Sequence, residues 1–135
     1  MTAPLALAVL VSGGGRSLEN LAEVIARGEL DAEIRRVVAN KPGLGALERA
    51  ARLELPTAVI PHADFDSAEA FSAAVFGELD EAGCELAVLA GFLRRLILPP
   101  RWRGRVINIH PALLPRFGGK GFYGDRVHRA VLEAG

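Results

Sequence analysis

Apolar positions along the chain follow two alternating rhythms: short, nearly continuous runs, and longer stretches with apolar residues spaced by three and four. Residues 6–12 form a run of the first kind and end in Gly13, Gly14 and Gly15. That is the pattern of a strand buried on both faces before a tight turn. From Leu18 the positions Leu18, Leu21, Ala22, Ile25 and Ala26 make one buried helical stripe, which Gly28 breaks. The alternation then repeats, with a strand over 34–39, a helix over 44–53 and a short strand over 57–60. A longer helix over about 67–82 buries Ala70, Phe71, Ala74, Val75 and Leu79, and a fourth strand spans 86–90. Pro99 and Pro100 mark a short helix or turn, because proline suits the first turn and not the interior. A fifth strand covers 105–109.

Strands and helices that alternate through short connections imply right-handed crossovers. The predicted fold class is therefore α/β, an open, doubly wound and mainly parallel sheet. Ligands of such sheets gather outside the carboxyl ends of the strands, where loops 12–17, 91–96 and 108–115 should lie. The chain shows no internal repeat, low-complexity stretch or linker, so residues 1–135 are read as a single domain.

Composition narrows the function classes. Sixteen basic residues balance sixteen acidic ones, and no Lys/Arg-rich run of five or more occurs, so neither nucleic acid nor an anionic membrane is the expected partner. The apolar start lacks a basic leader region and is too short to span a bilayer. The single cysteine, Cys84, cannot form an internal disulfide and has no Cys/His neighbours of zinc-binding spacing. These features point to a cytoplasmic protein without a metal.

Three loops carry chemistry. Ser12-Gly13-Gly14-Gly15-Arg16-Ser17 brings backbone N–H groups close to an anion at a helix N-terminus. A dinucleotide fingerprint would need glycine where Leu18 stands and an acidic residue where the chain has Asn40-Lys41; the Gly-Lys-Ser/Thr of a nucleotide P-loop is absent. A small phosphorylated substrate held by the N–H groups of Gly15, Arg16 and Ser17 remains, alongside the plainer reading of a tight connection. In the last loop, Asn108 and His110 are two apart on a strand and share a face, while Ile107 and Ile109 turn to the other. Asn108 can donate to a carbonyl oxygen that becomes negative, and His110 can move a proton near neutral pH. The pair suits acyl transfer, although an Asn-x-His can also serve local backbone groups. The middle loop leaves a central strand through Gly91-Phe92 and offers main chain to a flat heterocycle, or else Phe92 and Leu96 are core residues.

Together the segments VLVSGGGRSLENL, LAVLAGFLRRL and INIHPALLPRFGGKGFYGDRVHRAVLEAG resemble the phosphoribosylglycinamide formyltransferase family along the whole length. The resemblance implies a Rossmann-like formyltransferase fold. It also implies transfer of a formyl group from 10-formyltetrahydrofolate, the co-substrate, to the amine of glycinamide ribonucleotide in purine biosynthesis. By position, Gly15, Arg16 and Ser17 would hold the phosphate, while Leu93, Arg94, Arg95 and Leu96 would contact the pterin. Asn108 would bind near the formyl oxygen, and His110 would be the catalytic acid. His128 matches a family histidine near the site, or serves as a structural cap. The expected partners are these small molecules, with a homodimer left open.

Two departures stand out. Phe65-Asp66-Ser67 is followed by Ala68, where part of the family places a folate-contacting arginine. The family also continues past the position of Gly135 through further strands that carry an aspartate partner for the histidine. The expectation is therefore an N-terminal formyltransferase domain that lacks its C-terminal strands. Two other readings accompany it: a hydrolase of formyltetrahydrofolate, and a non-catalytic fragment that binds a phosphate ligand.

Overall fold

The computed structural model describes residues 4–109. Five strands form one sheet in the order β3-β2-β1-β4-β5, every pairing parallel. They are β1 (Leu5–Val11), β2 (Ala32–Ala39), β3 (Thr57–Val59), β4 (Leu86–Ala90) and β5 (Val106–Ile109), joined through helices α1 (Arg16–Ala26), α2 (Gly45–Arg52) and α3 (Ala68–Glu81). Short 3-10 turns at His62–Asp64 and Pro100–Trp102 complete the order. The expected α/β architecture is thus present, with small shifts at the element ends. The helix α1 begins at Arg16 and not at Leu18, because its first turn is polar and leaves no apolar periodicity to read.

The two faces of the sheet are covered by different helices. On one, Val9, Val11, Val37 and Ala39 pack with Leu18 of α1 and with Ala46 and Ala50 of α2. On the other, Ala8, Leu10, Val38 and Ala87 pack with Phe71, Val75, Phe76 and Leu79 of α3. β1 is central and its side chains from Ala6 to Val11 are buried on both faces, which explains its unbroken apolar run. Each fully buried Val or Leu contributes about 1.5–3 kcal/mol relative to exposure. Trp102, completely buried, tilts against Phe76 at 5.3 Å and donates its indole N–H to the Asp80 carboxylate at 3.0 Å.

β2 departs from strict alternation. Its register against β1 slips between Leu7, opposite Ile34, and Ala8, opposite Arg36, so Arg35 is an extra residue. The slip explains why Ile34 and Val37, three apart, both pack on the α1 face. α3 starts where Ser67 accepts a hydrogen bond from the N–H of Ala70 at 3.1 Å, with Phe65 against Phe71 at 5.8 Å. Ser67 is thereby the cap of this helix, and Phe65 packs against its first turn. Among the described residues no helix is long and apolar enough to cross a membrane, and no group of three His, Cys, Asp or Glu side chains could hold a metal.

Candidate active site

Strand order reverses direction between β1 and β4, because the chain builds outward from β1 to β3 and then returns to the other side of β1. The carboxyl ends of these two strands mark the switch point, the place at which doubly wound sheets take ligands. Two of the three loops singled out in the sequence meet there: β1 runs into the glycine loop, and β4 into Gly91-Phe92-Leu93. A hydrogen bond joins them, from the N–H of Leu93 to the hydroxyl of Ser12 at 2.9 Å.

The glycine loop turns directly into α1. Gly15 is the residue before the helix and adopts φ +84°, a left-handed conformation that glycine reaches without steric cost. A side chain there would also collide with α2, since its Cβ would lie 2.7 Å from the Cα of Ala46. α2 therefore lies directly against the loop, and two bonds fasten it. The N–H of Ala46 donates to the carbonyl of Gly13 at 3.1 Å, and Nε of Arg49 donates to the carbonyl of Gly14 at 2.7 Å. Arg49 also pairs through Nη1 with the carboxylate of Glu19 in the first turn of α1. The backbone N–H groups of Gly14, Gly15, Arg16 and Ser17 make no hydrogen bond to a backbone or side-chain acceptor among the described residues. The arrangement is a run of unengaged donors at the positive end of an eleven-residue helix. Arg16 is exposed beside it, while the Ser17 side chain is buried.

The middle loop divides its residues between core and solvent. Phe92 is buried and stacks on Phe71 with centroids 6.2 Å apart and planes 6° apart, and Leu96 packs partly into the same cluster. Leu93, Arg94 and Arg95 are exposed, Leu93 at 82%. A large apolar side chain exposed in the loop after β4 is the kind of surface a flat ring can cover.

Asn108 lies on β5 opposite Leu89 of β4, and its side chain is exposed. Its neighbours Ile107 and Ile109 pack towards Leu7, Val88 and the α1 residues Leu21 and Ile25. Val106 packs on the α3 side, so alternation places Asn108 on that face as well. His110 and His128 lie outside the described residues, as does the loop 110–115.

Sequence reasoning passed over three residues of this region. Asn40, at the carboxyl end of β2, is buried to 3% exposure, and its Nδ2 lies 3.1 Å from Nδ1 of His62. The same ring nitrogen is 3.1 Å from the main-chain oxygen of Asn40, so one tautomer serves the amide and the other the carbonyl. Oδ1 of Asn40 has no partner among the described residues. The third is Arg49, whose position on the polar side of a short helix gives no sequence signal of a contact 35 residues away.

Residues 5–135 match the family model described as formyl transferase. Trifunctional purine biosynthetic protein adenosine-3 of Drosophila pseudoobscura pseudoobscura is 45% identical over 96% of this chain, which spans 9% of that protein. The chloroplastic phosphoribosylglycinamide formyltransferase of Arabidopsis thaliana is 39% identical over 96% of this chain and 45% of its own length. Among solved structures, phosphoribosylglycinamide formyltransferase of Coxiella burnetii aligns with a TM-score of 0.75 at 40% identity, covering 84% of this chain and 54% of that one. Glycinamide ribonucleotide transformylase 1 of Symbiobacterium toebii aligns with a TM-score of 0.75 at 30% identity, covering all of this chain and 62% of its own. This chain thus spans from about a tenth to about three fifths of these relatives. With a family model matched along almost its whole length, the chain belongs to the formyl transferase family.

Proposed function

We propose that this chain carries the substrate-binding half of an enzyme that moves a formyl group from 10-formyltetrahydrofolate to the amine of glycinamide ribonucleotide. The observation that carries the reading is the hydrogen bond from Leu93 to Ser12, which ties the anion-binding glycine loop to the exposed apolar rim beyond β4. A phosphorylated substrate and a flat, ring-bearing donor are thereby accommodated side by side at the switch point. The names borne by the relatives support formyl transfer to phosphoribosylglycinamide.

In this reading the N–H groups of Gly15, Arg16 and Ser17 hold the phosphate, with Arg16 adding a charge-assisted contact from solvent. Leu93, Arg94, Arg95 and Leu96 line the folate side. The amine nitrogen attacks the formyl carbon, and the carbonyl pair moves onto oxygen. Asn108 donates its amide N–H to that oxygen as it becomes negative. His110 gives a proton to the departing folate nitrogen, the C–N bond to folate breaks, and the amine passes its extra proton to water as the formamide forms. Asn108 and His110 act on charge that develops only as the tetrahedral state forms and collapses, which is the condition for accelerating the chemical step.

The test is formyl transfer by the full-length protein, measured with and without glycinamide ribonucleotide. Transfer that requires the ribonucleotide and falls by about a hundredfold or more in Asn108→Ala and His110→Ala is expected. Formate released equally well without the ribonucleotide would assign a hydrolase instead, and binding without turnover of either kind would leave a ligand-binding module.

A further inference from the structure

We propose that Arg49 is a positioning residue for the anion cradle: by holding the Gly14 carbonyl on the α2 side, it presets the Gly15 N–H towards the phosphate. The inference rests on the reading that the glycine loop takes a phosphate, and it names what gives that loop its shape. A trans peptide is planar, with its C=O and N–H pointing in opposite directions. Nε of Arg49 fixes the Gly14 oxygen at 2.7 Å, so the N–H of Gly15, in the same peptide, must face away from α2. The N–H of Ala46 fixes the Gly13 oxygen at 3.1 Å, and the N–H of Gly14 faces away for the same reason. Two successive donors are thus aimed to one side before any ligand arrives, an anion-binding concavity of the kind successive backbone amides form.

Arg49 acts in a second way. Glu19 sits in the first turn of α1, where its negative charge favours the helix but opposes an anion bound at the same end. The guanidinium of Arg49 pairs with that carboxylate and offsets its charge. Held on one side by Gly14 and on the other by Glu19, the Arg49 guanidinium braces the loop from behind. The side chain is 30% exposed, which leaves it room for substitution without opening the core.

The experiment uses the full-length protein and measures kcat, the KM of each substrate, and inhibition by ribose 5-phosphate. In Arg49→Ala, the KM of glycinamide ribonucleotide and the inhibition constant of ribose 5-phosphate should rise about tenfold, roughly what one charge-assisted hydrogen bond contributes. The kcat and the KM of the formyl donor should stay within about twofold, since neither depends on the Gly15 N–H. Adding Glu19→Gln to Arg49→Ala should recover about threefold of the loss by removing the uncompensated carboxylate. Arg49→Lys, which keeps the charge and perturbs folding least, should fall between wild type and Arg49→Ala. Equal loss in all parameters would show a merely structural role and overturn the proposal. So would an Arg49→Ala enzyme that binds ribose 5-phosphate as wild type does. If the wild type does not distinguish glycinamide ribonucleotide from its dephosphorylated riboside, the phosphate reading itself fails first, and that result is separate from the other two.

Discussion

Replacing Gly15 by alanine tests whether the glycine loop is shaped by backbone conformation alone or also by contact with α2. At φ +84° an alanine pays the left-handed penalty of roughly 1–2 kcal/mol. Its Cβ would stand 2.7 Å from the Cα and 2.8 Å from the Cβ of Ala46, closer than carbon atoms approach, so α1 and α2 must separate. Overpacking of that kind costs about 1–3 kcal/mol, giving a total of roughly 2–5 kcal/mol. Gly28 supplies the control, because its φ is +76° but nothing lies within 4 Å of a built Cβ. Gly28→Ala should cost only the conformational part, roughly 1–2 kcal/mol. The gain from restricting the unfolded chain is common to both variants and cancels in their difference. Urea denaturation followed by the fluorescence of Trp102, the single tryptophan, reads both, since that ring is buried in the native state. In thermal melts read by the same fluorescence a domain of this size loses about 3–5 °C of Tm per kcal/mol, so the extra ~1–3 kcal/mol should put Gly15→Ala about 3–15 °C below Gly28→Ala. Equal losses would refute the argument that α2 presses on the loop.

Three further expectations are open to direct measurement. The hydrogen bond from Arg101, aided by one from Trp102 and opposed by burial, holds the Asp80 carboxyl below the usual range. Its contribution is therefore present above the unfolded-state pKa and lost as pH falls through the lower folded value. The stability gap between wild type and Asp80→Asn, taken from urea midpoints, should shrink from about pH 7 to about pH 3; a constant gap would refute the assignment. Burial pushes the Cys84 thiol up, so iodoacetamide should label the native protein at least about a hundredfold more slowly than the urea-unfolded chain, and similar rates would place the thiol at the surface. Ser12→Ala removes the acceptor of the Leu93 N–H and should cost about 1 kcal/mol; the KM of the formyl donor should rise several-fold more than that of the ribonucleotide, and equal rises would contradict a specific tie to the middle loop.

Much of the fold was legible because the two hydrophobic rhythms are local. The unbroken run of β1 reports burial on both faces, and the stripe beginning at Leu18 reports one face of α1, each within a window of about ten residues. Where the structure departs, the cause is one that periodicity does not carry. The start of α1 at Arg16 is polar, and the slip at Arg35 in β2 depends on pairing with a neighbour that the strand's own sequence does not mention. The cap at Ser67 could have been read, since a serine before an apolar run is a helix-start signal. The resemblance singled out Ala68, where part of the family places a folate-contacting arginine, and the serine before it has the simpler task of capping α3.

The candidate site divides along the same line. Glycines before a helix and an Asn-x-His on a strand are readable because their chemistry lies in the residues themselves. What brings the loops after β1 and β4 together is the switch between those strands, which exists only in the strand order. Ser12 illustrates the difference. In the sequence it is the polar end of an apolar run; in the fold its hydroxyl accepts from a residue 81 positions away and joins the loops that follow β1 and β4. Arg49 is the same case on the other side of the glycine loop, a charged residue on a short helix whose guanidinium orients a peptide 35 positions earlier. Residues that touch a ligand announce themselves by type, whereas residues that hold those in place do so by position. The loops at 12–17 and 91–96 were therefore visible as separate sequence features, and their union depends on contacts that only folding creates.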